Sequence, residues 1–306
     1  MSVVTVPPSL VELVGPVEGV EILPWDLRTD PPRAGEVEVV VVPTHQAPWV
    51  TRLAELPGLR AVQLSSAGHE HALRFLPPGV TLSNAVGVHD TATAELALAL
   101  LLAAQRDLPD FVRAQASGEW AAPRQRRSVA DSTVVVVGYG GIGRALATRL
   151  RACEAEVVAV ASRARAGDGL VDRVHGVAEL PALLPRADVL ALATPLTEGT
   201  RRLVDAAALA LLPDDALVVN VGRGAVVDTD ALVAECAGGR LRAALDVTDP
   251  EPLPPDHPLW STPGVLVSPH TAGSTSAFAP RMARYLRAQL TAYGQRGQLP
   301  HVVATG

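Results

Sequence analysis

Lysine is absent from this 306-residue chain, and cysteine occurs only twice. Apart from histidine, every basic side chain is therefore an arginine, and no site in the protein can use a lysine ammonium group. Cys153 and Cys236 lack the spacing of metal ligands and are too few for a disulfide framework, which favours a reducing compartment. We expect both cysteines to fill space in the core.

Long apolar runs and a strong positive charge are also missing. The longest apolar stretch, residues 96–104, is far shorter than the roughly 20 residues that span a bilayer. The N-terminus shows no basic segment followed by an apolar one, so no signal peptide is predicted. A net charge of −6 and a pI of about 5.8 argue against nucleic acid or an anionic membrane as the main partner. We therefore expect a cytoplasmic globular protein.

The most informative stretch is a run of valines that opens directly into a glycine-rich turn and a helix. The turn consists of Gly138, Tyr139, Gly140, Gly141, Ile142 and Gly143. In such a Gly-x-Gly-x-x-Gly turn the first glycine permits the tight bend, the second lets a pyrophosphate approach the main chain, and the third lets helix and strand pack closely. The helix N-terminus then offers free N–H groups to the phosphates. The pattern predicts a dinucleotide site.

The next strand of the unit indicates which dinucleotide is bound. Residues 156–161 are predicted to form it, and they are followed by Ser162, Arg163 and Arg165 instead of the carboxylate that binds a ribose 2′-hydroxyl. A guanidinium matches phosphate oxygens with a planar fork of donors. We expect Ser162 and Arg163 to bind a 2′-phosphate, which favours NADP(H) over NAD(H). The alternative is that these arginines belong to ordinary solvated surface.

Strands and helices alternate along the chain, which predicts parallel α/β layers. In the first 90 residues, strands are expected at 37–42, 59–64 and 80–83, with a helical stretch near 48–56. A buried helix at 93–105 leads into a second, more regular series. Its six parallel strands are expected at 134–137, 157–160, 189–192, 217–220, 243–246 and 265–268.

These elements predict an α/β protein of two domains. Residues 93–279 form a doubly wound, parallel-sheet Rossmann cofactor domain. Residues 1–92 and 280–306 form a smaller, discontinuous, flavodoxin-like α/β substrate domain, to which the final helix at 280–293 returns.

Three polar groups follow the last strands of the second series, where chemistry collects in an open parallel sheet. Arg223 follows the fourth strand, a carboxylate follows the fifth, and His270 follows the sixth. An arginine can hold a 2-oxo acid and polarise its ketone, while a histidine can donate the proton that the ketone oxygen needs. A carboxylate on the other ring nitrogen would raise the histidine pKa. Asp249 and Glu251 are equal candidates for it on these grounds.

At these positions the chain closely resembles the D-isomer-specific 2-hydroxyacid dehydrogenase family. That family includes glyoxylate/hydroxypyruvate reductases, phosphoglycerate dehydrogenases, formate dehydrogenases and phosphite dehydrogenases. The matching segments are residues 138–143, 194–200, 220–224, 244–247, 250–253 and 268–270. Weaker matches at 65–68, 84–88 and 94–95 extend the resemblance into the first domain.

The resemblance implies an NAD(P)-dependent enzyme whose catalytic residues are Arg223, Glu251 and His270, with Glu251 orienting His270. The substrate would be held by Arg223 and by backbone N–H groups of Ser66, Ala67 and Gly68. Further cofactor contacts are implied for Thr194, Pro195, Val221, Gly222, Arg223, Asp246, His270 and Gly273, with Asp246 facing the nicotinamide carboxamide.

The resemblance also implies an assembly and a motion. Two lobes would close over the cleft, and a homodimer would form mainly through the cofactor domain. Trp120 is expected to be a packing residue, although the resemblance allows it to reach the partner subunit's cleft. The other seven histidines are interpreted as surface or loop residues, with His69 and His71 flanking the loop at 66–68 closely enough for a substrate contact. They offer no third ligand at a sensible spacing for a metal.

Several alternatives remain beside a reductase of a small 2-oxo acid such as glyoxylate or hydroxypyruvate. Phosphite would need further cations, which a chain without lysine is poorly equipped to supply, and formate enzymes carry longer N-terminal regions. A phosphorylated or phosphonate-bearing 2-oxo acid stays open because several arginines are unassigned, namely Arg74, Arg124, Arg126 and Arg127. Dinucleotide-sensing corepressors of the C-terminal-binding type share the Arg–Glu–His set but add terminal extensions for partners.

Overall fold

The computed structural model describes residues 1–43, 49–70 and 72–306, without the side chains of Trp49 and Val50. It contains two compact units, one formed by Met1–His89 with Ser274–Gly306 and one formed by Asp90–Gly273. The first boundary falls at His89 because a long helix begins at Asp90. The predicted bounds were 1–92 with 280–306 for the substrate domain and 93–279 for the cofactor domain, and this division into domains stays a prediction.

The first unit is built on a six-stranded sheet. With strands numbered along the whole chain, these are β1 (Ser2–Val6), β2 (Val20–Pro24), β3 (Val37–Val41), β4 (Ala61–Gln63), β5 (Thr81–Ser83) and β14 (Val302–Thr305). The order across the sheet is β2-β1-β3-β4-β5-β14, and only the β5–β14 pair is antiparallel. The order 2-1-3-4-5 is that of flavodoxin-like folds. The predicted class of the smaller domain is therefore confirmed.

Helices cover this sheet because successive strand residues point to opposite faces. The helices of the unit are α1 (Pro8–Val14), α2 (Trp49–Arg52) and α9 (Phe278–Arg296), with 3₁₀ turns at Leu53–Glu55 and Leu73–Phe75. Val4 and Val6 of β1 pack in one apolar cluster with residues of α1 and α9. Val3 of the same strand packs in the cluster on the other face. The final helix thus completes the first unit.

Half of these strands were not predicted. The sequence pattern predicted β3, β4 and β5 but not β1, β2 or β14. The two edge strands, β2 and β14, are largely half-exposed or exposed, so neither carries the apolar pattern that marks a strand. The predicted helix at 48–56 is α2 followed by the 3₁₀ turn, and Pro48 lies outside the described residues.

The second unit contains an eight-stranded, mainly parallel sheet. Its strands are β6 (Thr133–Val137), β7 (Glu156–Ala161), β8 (Arg165–Ala166), β9 (Arg173–Gly176), β10 (Val189–Leu192), β11 (Leu217–Asn220), β12 (Arg242–Leu245) and β13 (Val265–Val267). The order is β8-β9-β7-β6-β10-β11-β12-β13, and β8 alone runs antiparallel to its neighbour. Strand order reverses between β6 and β10, which is where doubly wound sheets bind their ligands. The Rossmann prediction is confirmed.

The predicted number of parallel strands in the second sheet was wrong. The six predicted parallel strands are all present, but β9 makes a seventh. Of the four residues in β9 only Val174 is buried, so the strand has no apolar run to reveal it.

Helices lie on both faces of the second sheet, which explains why its central strands are apolar throughout. They are α3 (Asp90–Gln105), α4 (Leu108–Ala116), α5 (Gly141–Ala152), α6 (Leu180–Leu183), α7 (Ala206–Ala210) and α8 (Thr229–Ala237), with 3₁₀ turns at Val177–Glu179, Leu184–Arg186, Gly224–Val226 and Pro258–Trp260. Val134 and Val136 of β6 pack in the cluster that contains residues of α3 and α5. Val135 and Val137 pack on the opposite face. Among the described residues, no helix is both long and apolar enough to cross a membrane.

Candidate active site

The loop between β6 and α5 requires its first and third glycines for steric reasons. Gly138 has a φ of +99°, and a Cβ there would lie 2.6 Å from the carbonyl carbon of Ala193. A Cβ on Gly143 would lie 2.2 Å from the carbonyl oxygen of Gly138. Both contacts are closer than real Cβ atoms come, so helix α5 can approach the sheet only if these two residues have no side chain.

Gly140 is different, because a Cβ there would meet no protein atom within 4 Å. This residue precedes the first turn of α5, whose N–H groups have no acceptor within the helix. Next to the loop, at the end of β10, the hydroxyl of Thr194 is buried and has no hydrogen-bond partner among the described residues. An open backbone face, a helix N-terminus and an unsatisfied buried hydroxyl fit a bound dinucleotide.

Arg165 lies against the same glycine loop. Its Nη2 donates to the carbonyl oxygen of Tyr139 at 2.8 Å, and its guanidinium carbon lies 5.9 Å from the centre of the Tyr139 ring. Ser162 and Arg163, which the sequence analysis selected for the 2′-phosphate, are both exposed between β7 and Arg165. The structure therefore adds a second guanidinium, directly bonded to the loop, to the pair that the sequence suggested.

The turn after β11 places Arg223. Asn220 shapes this turn, because its Oδ1 accepts from the Gly222 amide and its Nδ2 donates to the Arg223 carbonyl, both at 3.0 Å. A Cβ on Gly222 would lie 2.6 Å from the carbonyl oxygen of Thr194, so the turn packs tightly on the neighbouring strand end. The half-buried Arg223 side chain donates to the Gly222 carbonyl at 2.7 Å.

Asp246 holds the turn that carries His270. The Asp246 carboxylate is 2% exposed and accepts from the Ser268 hydroxyl at 2.6 Å, the Thr271 amide at 2.9 Å and the Ala272 amide at 3.1 Å. Each hydrogen bond to a charged group contributes about 1.5–3 kcal/mol, enough together to offset the several kcal/mol that burying a carboxylate costs. The turn is thus fixed on both sides of His270.

This support matters because His270 has a strained backbone. Its φ is +49°, in the left-handed region that costs a residue with a side chain roughly 1–2 kcal/mol. The His270 amide donates to the carbonyl oxygen of Asp246 at 2.8 Å, which adds a further constraint from the same residue. The contact expected between Asp246 and the nicotinamide stays a prediction.

Glu251 is the carboxylate that meets His270. A short hydrogen bond joins His270 Nδ1 to Glu251 Oε1, and both side chains are about one-third exposed, at 35% and 38%. The hydrogen bond to Glu251 raises the pKa of His270, while burial and the charge of Arg223 act in the opposite direction. Residues alone could not choose between Asp249 and Glu251, and the geometry selects Glu251 as the partner. With Nδ1 occupied, Nε2 is the ring nitrogen available for proton transfer.

The loop expected to bind the substrate carboxylate lies in the first unit and has its carbonyl groups fixed. Donors from residues 84–89 reach three consecutive carbonyl oxygens: His89 Nε2 bonds to Ser65 at 2.7 Å, the Ala85 amide to Ser66 at 2.8 Å, and Asn84 Nδ2 to Ala67 at 2.6 Å. In a trans peptide the following N–H points away from the carbonyl. The amides of Ser66, Ala67 and Gly68 therefore point away from residues 84–89, and none of the three has an acceptor among the described residues.

The structure shows contacts that the sequence did not predict. His89 was interpreted as a surface or loop residue; it does lie in a loop, and its half-buried ring bonds to the Ser65 carbonyl. The Ser268 hydroxyl, bonded to Asp246, was quoted only as part of a motif. Among the described residues, the His69 side chain makes no hydrogen bond to the loop, and His71 lies outside them.

Comparison with known proteins decides the family. The model of the "D-isomer specific 2-hydroxyacid dehydrogenase, NAD binding domain" matches residues 98–272, which is more than half of the chain. The chain belongs to this family. It is therefore an NAD(P)-dependent D-2-hydroxyacid dehydrogenase, as its motifs suggested.

Individual relatives extend over most of this dehydrogenase. It is 31% identical to a glyoxylate reductase of Aeropyrum pernix, with 97% of this chain and 92% of that protein covered. It is 34% identical to an (S)-sulfolactate dehydrogenase of Chromohalobacter salexigens, with 73% and 74% covered. A crystal structure of a family member from Xanthobacter autotrophicus Py2, in complex with NADPH and MES, matches with a TM-score of 0.79, 30% identity, and coverage of 99% and 98%.

The ion pair between Glu251 and His270 generates a prediction about pH. Replacing Glu251 with Gln removes the interaction that raises the His270 pKa, so the ring should lose its proton at lower pH than in the wild type. The Asp249→Asn variant is the control, because Asp249 is an exposed carboxylate two residues away in the same loop. NMR titration of the His270 imidazole measures both. Equal His270 titration curves in the wild type and Glu251→Gln would contradict the assignment.

Proposed function

We propose that this dehydrogenase reduces a small 2-oxo acid of the glyoxylate or hydroxypyruvate class to its D-2-hydroxy acid, with NADPH as the preferred reductant. The observation that carries the proposal is the His270–Glu251 pair, held at the carboxyl edge of the sheet that also bears the dinucleotide loop. The glyoxylate reductase of Aeropyrum pernix supports the substrate class, because the alignment covers nearly the whole chain.

His270 and Glu251 have different roles in the reduction of the carbonyl group. The carbonyl carbon receives a hydride, which a bound reduced nicotinamide supplies, and the carbonyl oxygen must gain a proton. Protonated His270 donates that proton from Nε2, while the Glu251 carboxylate keeps Nδ1 in place and favours the charged ring. In the reverse direction neutral His270 accepts the proton. The two transfers converge on one C=O bond, so the fixed position of the ring is itself a large part of catalysis.

Substrate binding rests on charge and on oriented backbone groups. Arg223 binds the oxo acid and polarises its ketone oxygen through the fork of N–H donors that a guanidinium offers. The N–H groups of Ser66, Ala67 and Gly68 bind the carboxylate. The anchored carbonyl oxygens of this loop support that role, because they leave the donor side of each peptide available.

The cofactor preference rests on two guanidinium groups. Arg163 and Arg165 bind the 2′-phosphate together with Ser162, and the bond from Arg165 to the Tyr139 carbonyl holds one of these positive charges at the loop. No carboxylate follows β7 directly to bind a 2′-hydroxyl. The NADPH in the relative from Xanthobacter autotrophicus supports the same choice.

The enzyme acts as a homodimer through its cofactor unit. Helix α4 and the segment after it expose a series of large apolar side chains, which is unusual for a surface that faces only water. They are Leu108 (47% exposed), Phe111 (40%), Val112 (65%) and Trp120 (93%). A second copy of the same surface would cover them, as an isologous interface requires.

A direct assay tests the reaction. NADPH and NADH oxidation is followed separately by absorbance with glyoxylate, hydroxypyruvate, pyruvate, 3-sulfopyruvate and a branched 2-oxo acid. We expect NADPH to be oxidised fastest with glyoxylate or hydroxypyruvate, at a KM within the usual micromolar to millimolar range. A marked preference for 3-sulfopyruvate would move the substrate class to that of the sulfolactate dehydrogenase relative. If NADPH binds but is not oxidised with any of the five 2-oxo acids, the proposal is contradicted and a dinucleotide-sensing protein is favoured.

Substitution of the two arginines tests the cofactor preference. Arg163→Gln and Arg165→Gln should each raise the KM for NADPH about tenfold or more, because each removes a charge-assisted hydrogen bond to a phosphate. The KM for NADH should change less than twofold. Arg173→Gln is the matched control, since this exposed arginine of β9 pairs with Glu179 instead. Unchanged NADPH/NADH selectivity in both variants would show that the 2′-phosphate is bound elsewhere.

A further inference from the structure

A single histidine outside the catalytic set links the carboxylate loop to the rest of the first unit. His89 Nε2 lies 2.7 Å from the carbonyl oxygen of Ser65, the first of the three anchored carbonyls. A carbonyl oxygen can only accept, so Nε2 carries the hydrogen and His89 is the donor. Because the Ser65 carbonyl points toward His89, the Ser66 amide points away from it.

The ring is held in this position by the final helix. Phe278, the first residue of α9, stacks on His89 with ring centres 5.4 Å apart and planes 13° from parallel. Further along α9, the Tyr285 hydroxyl donates to the Asn84 carbonyl at 2.7 Å. Burial raises the pKa of Tyr285 to about 12, so this hydroxyl stays a donor at neutral pH. Helix α9 thus fixes both ends of the segment 84–89.

Other bonds hold the neighbouring groups of the loop, and the Ser65 hydroxyl itself donates to the Val42 carbonyl, but the bond to the Ser65 carbonyl comes from His89. The Ala85 amide and Asn84 hold the next two carbonyls, and the Ser66 hydroxyl donates to Gly68 at 2.7 Å. His89 bonds to the Ser65 carbonyl through its side chain, so a substitution can remove this bond and leave the backbone bond of Ala85 and the side chain of Asn84 in place.

We propose that His89 is a positioning residue for substrate recognition, which aims the Ser66 amide at the substrate carboxylate by hydrogen-bonding the Ser65 carbonyl. This inference rests on the proposed function, because it assigns His89 a task within the same carboxylate site. His89 acts through the loop and takes no part in proton transfer. Its loss should therefore weaken binding of the carboxylate and leave the binding of NADPH unchanged.

A pair of nearly isosteric variants isolates the hydrogen bond. Gln and Met have unbranched side chains of similar length, but only Gln can donate to the Ser65 carbonyl. His89→Met should raise the KM for the best 2-oxo acid about threefold to tenfold, the factor that the net free energy of one hydrogen bond represents. The inhibition constant of oxamate, used as a carboxylate probe that is not reduced, should rise by the same factor. His89→Gln should stay within twofold of the wild type in both.

Two further variants serve as controls for this comparison. His89→Phe keeps an aromatic ring opposite Phe278 but has no N–H donor, so it should show the same threefold to tenfold rise, and it replaces His89→Met if loss of the stack prevents that variant from folding. His175→Met is the control, because His175 bonds to Glu179 in the second unit and has no place in the proposed site. The KM for NADPH should remain within twofold of the wild type in all four.

The outcomes separate this inference from the proposed function. An active wild type whose KM and oxamate inhibition are unchanged by His89→Met and His89→Phe would overturn the role of His89 alone. Equal losses in His89→Gln and His89→Met would also overturn it, because packing and not the hydrogen bond would then be responsible. A wild type that reduces no 2-oxo acid would overturn the proposed function and this inference together.

Discussion

The structure of the active site depends on one buried carboxylate. Asp246 accepts three hydrogen bonds from the turn at 268–272 and a fourth reaches its backbone carbonyl, so the turn cannot relax away from the strand that carries Asp246. These bonds stabilise the left-handed backbone of His270, which the turn would not otherwise retain. The imidazole then meets Glu251 through Nδ1, which leaves Nε2 for the proton transfer that we propose. The position of His270 follows from this support, and the raised pKa of its ring follows mainly from the hydrogen bond to Glu251.

The same principle governs the two anion sites that we propose. Positive charge alone would attract a carboxylate or a phosphate, but oriented N–H groups determine where it binds. In the cofactor unit, the glycines allow helix α5 to approach the sheet and to present its first amides. In the first unit, donors from residues 84–89 bond to the carbonyl oxygens of the loop. The amides at 66–68 therefore point in the opposite direction. A chain without lysine depends strongly on such backbone donors and on arginine.

Much of this architecture was predictable because short sequence patterns indicate it. The six apolar strands of the Rossmann sheet, the glycine loop and the Arg–Glu–His set each occupy short, contiguous segments. Strands β9 and β14 were missed because strands whose residues are mostly half-exposed or exposed lack an apolar pattern. The hydrogen bonds of Ser268 with Asp246 and of His89 with Ser65 join residues 22 and 24 positions apart, and no local pattern indicates such a pairing. The residue types alone left Asp249 and Glu251 as equal candidates; the family resemblance favoured Glu251, and its hydrogen bond with His270 agrees with that choice.

The most direct test of the account is a comparison of turnover and cofactor binding in His270→Asn. A general acid contributes about 10²–10⁴-fold to a rate, and it acts in the transition state and not in cofactor binding. We therefore predict that kcat for 2-oxo acid reduction falls by at least about 10²-fold, while the Kd for NADPH, measured by fluorescence titration, stays within twofold. A loss of less than tenfold in kcat, or a weakening of NADPH binding comparable to the loss of rate, would contradict the assignment of His270 as the proton donor.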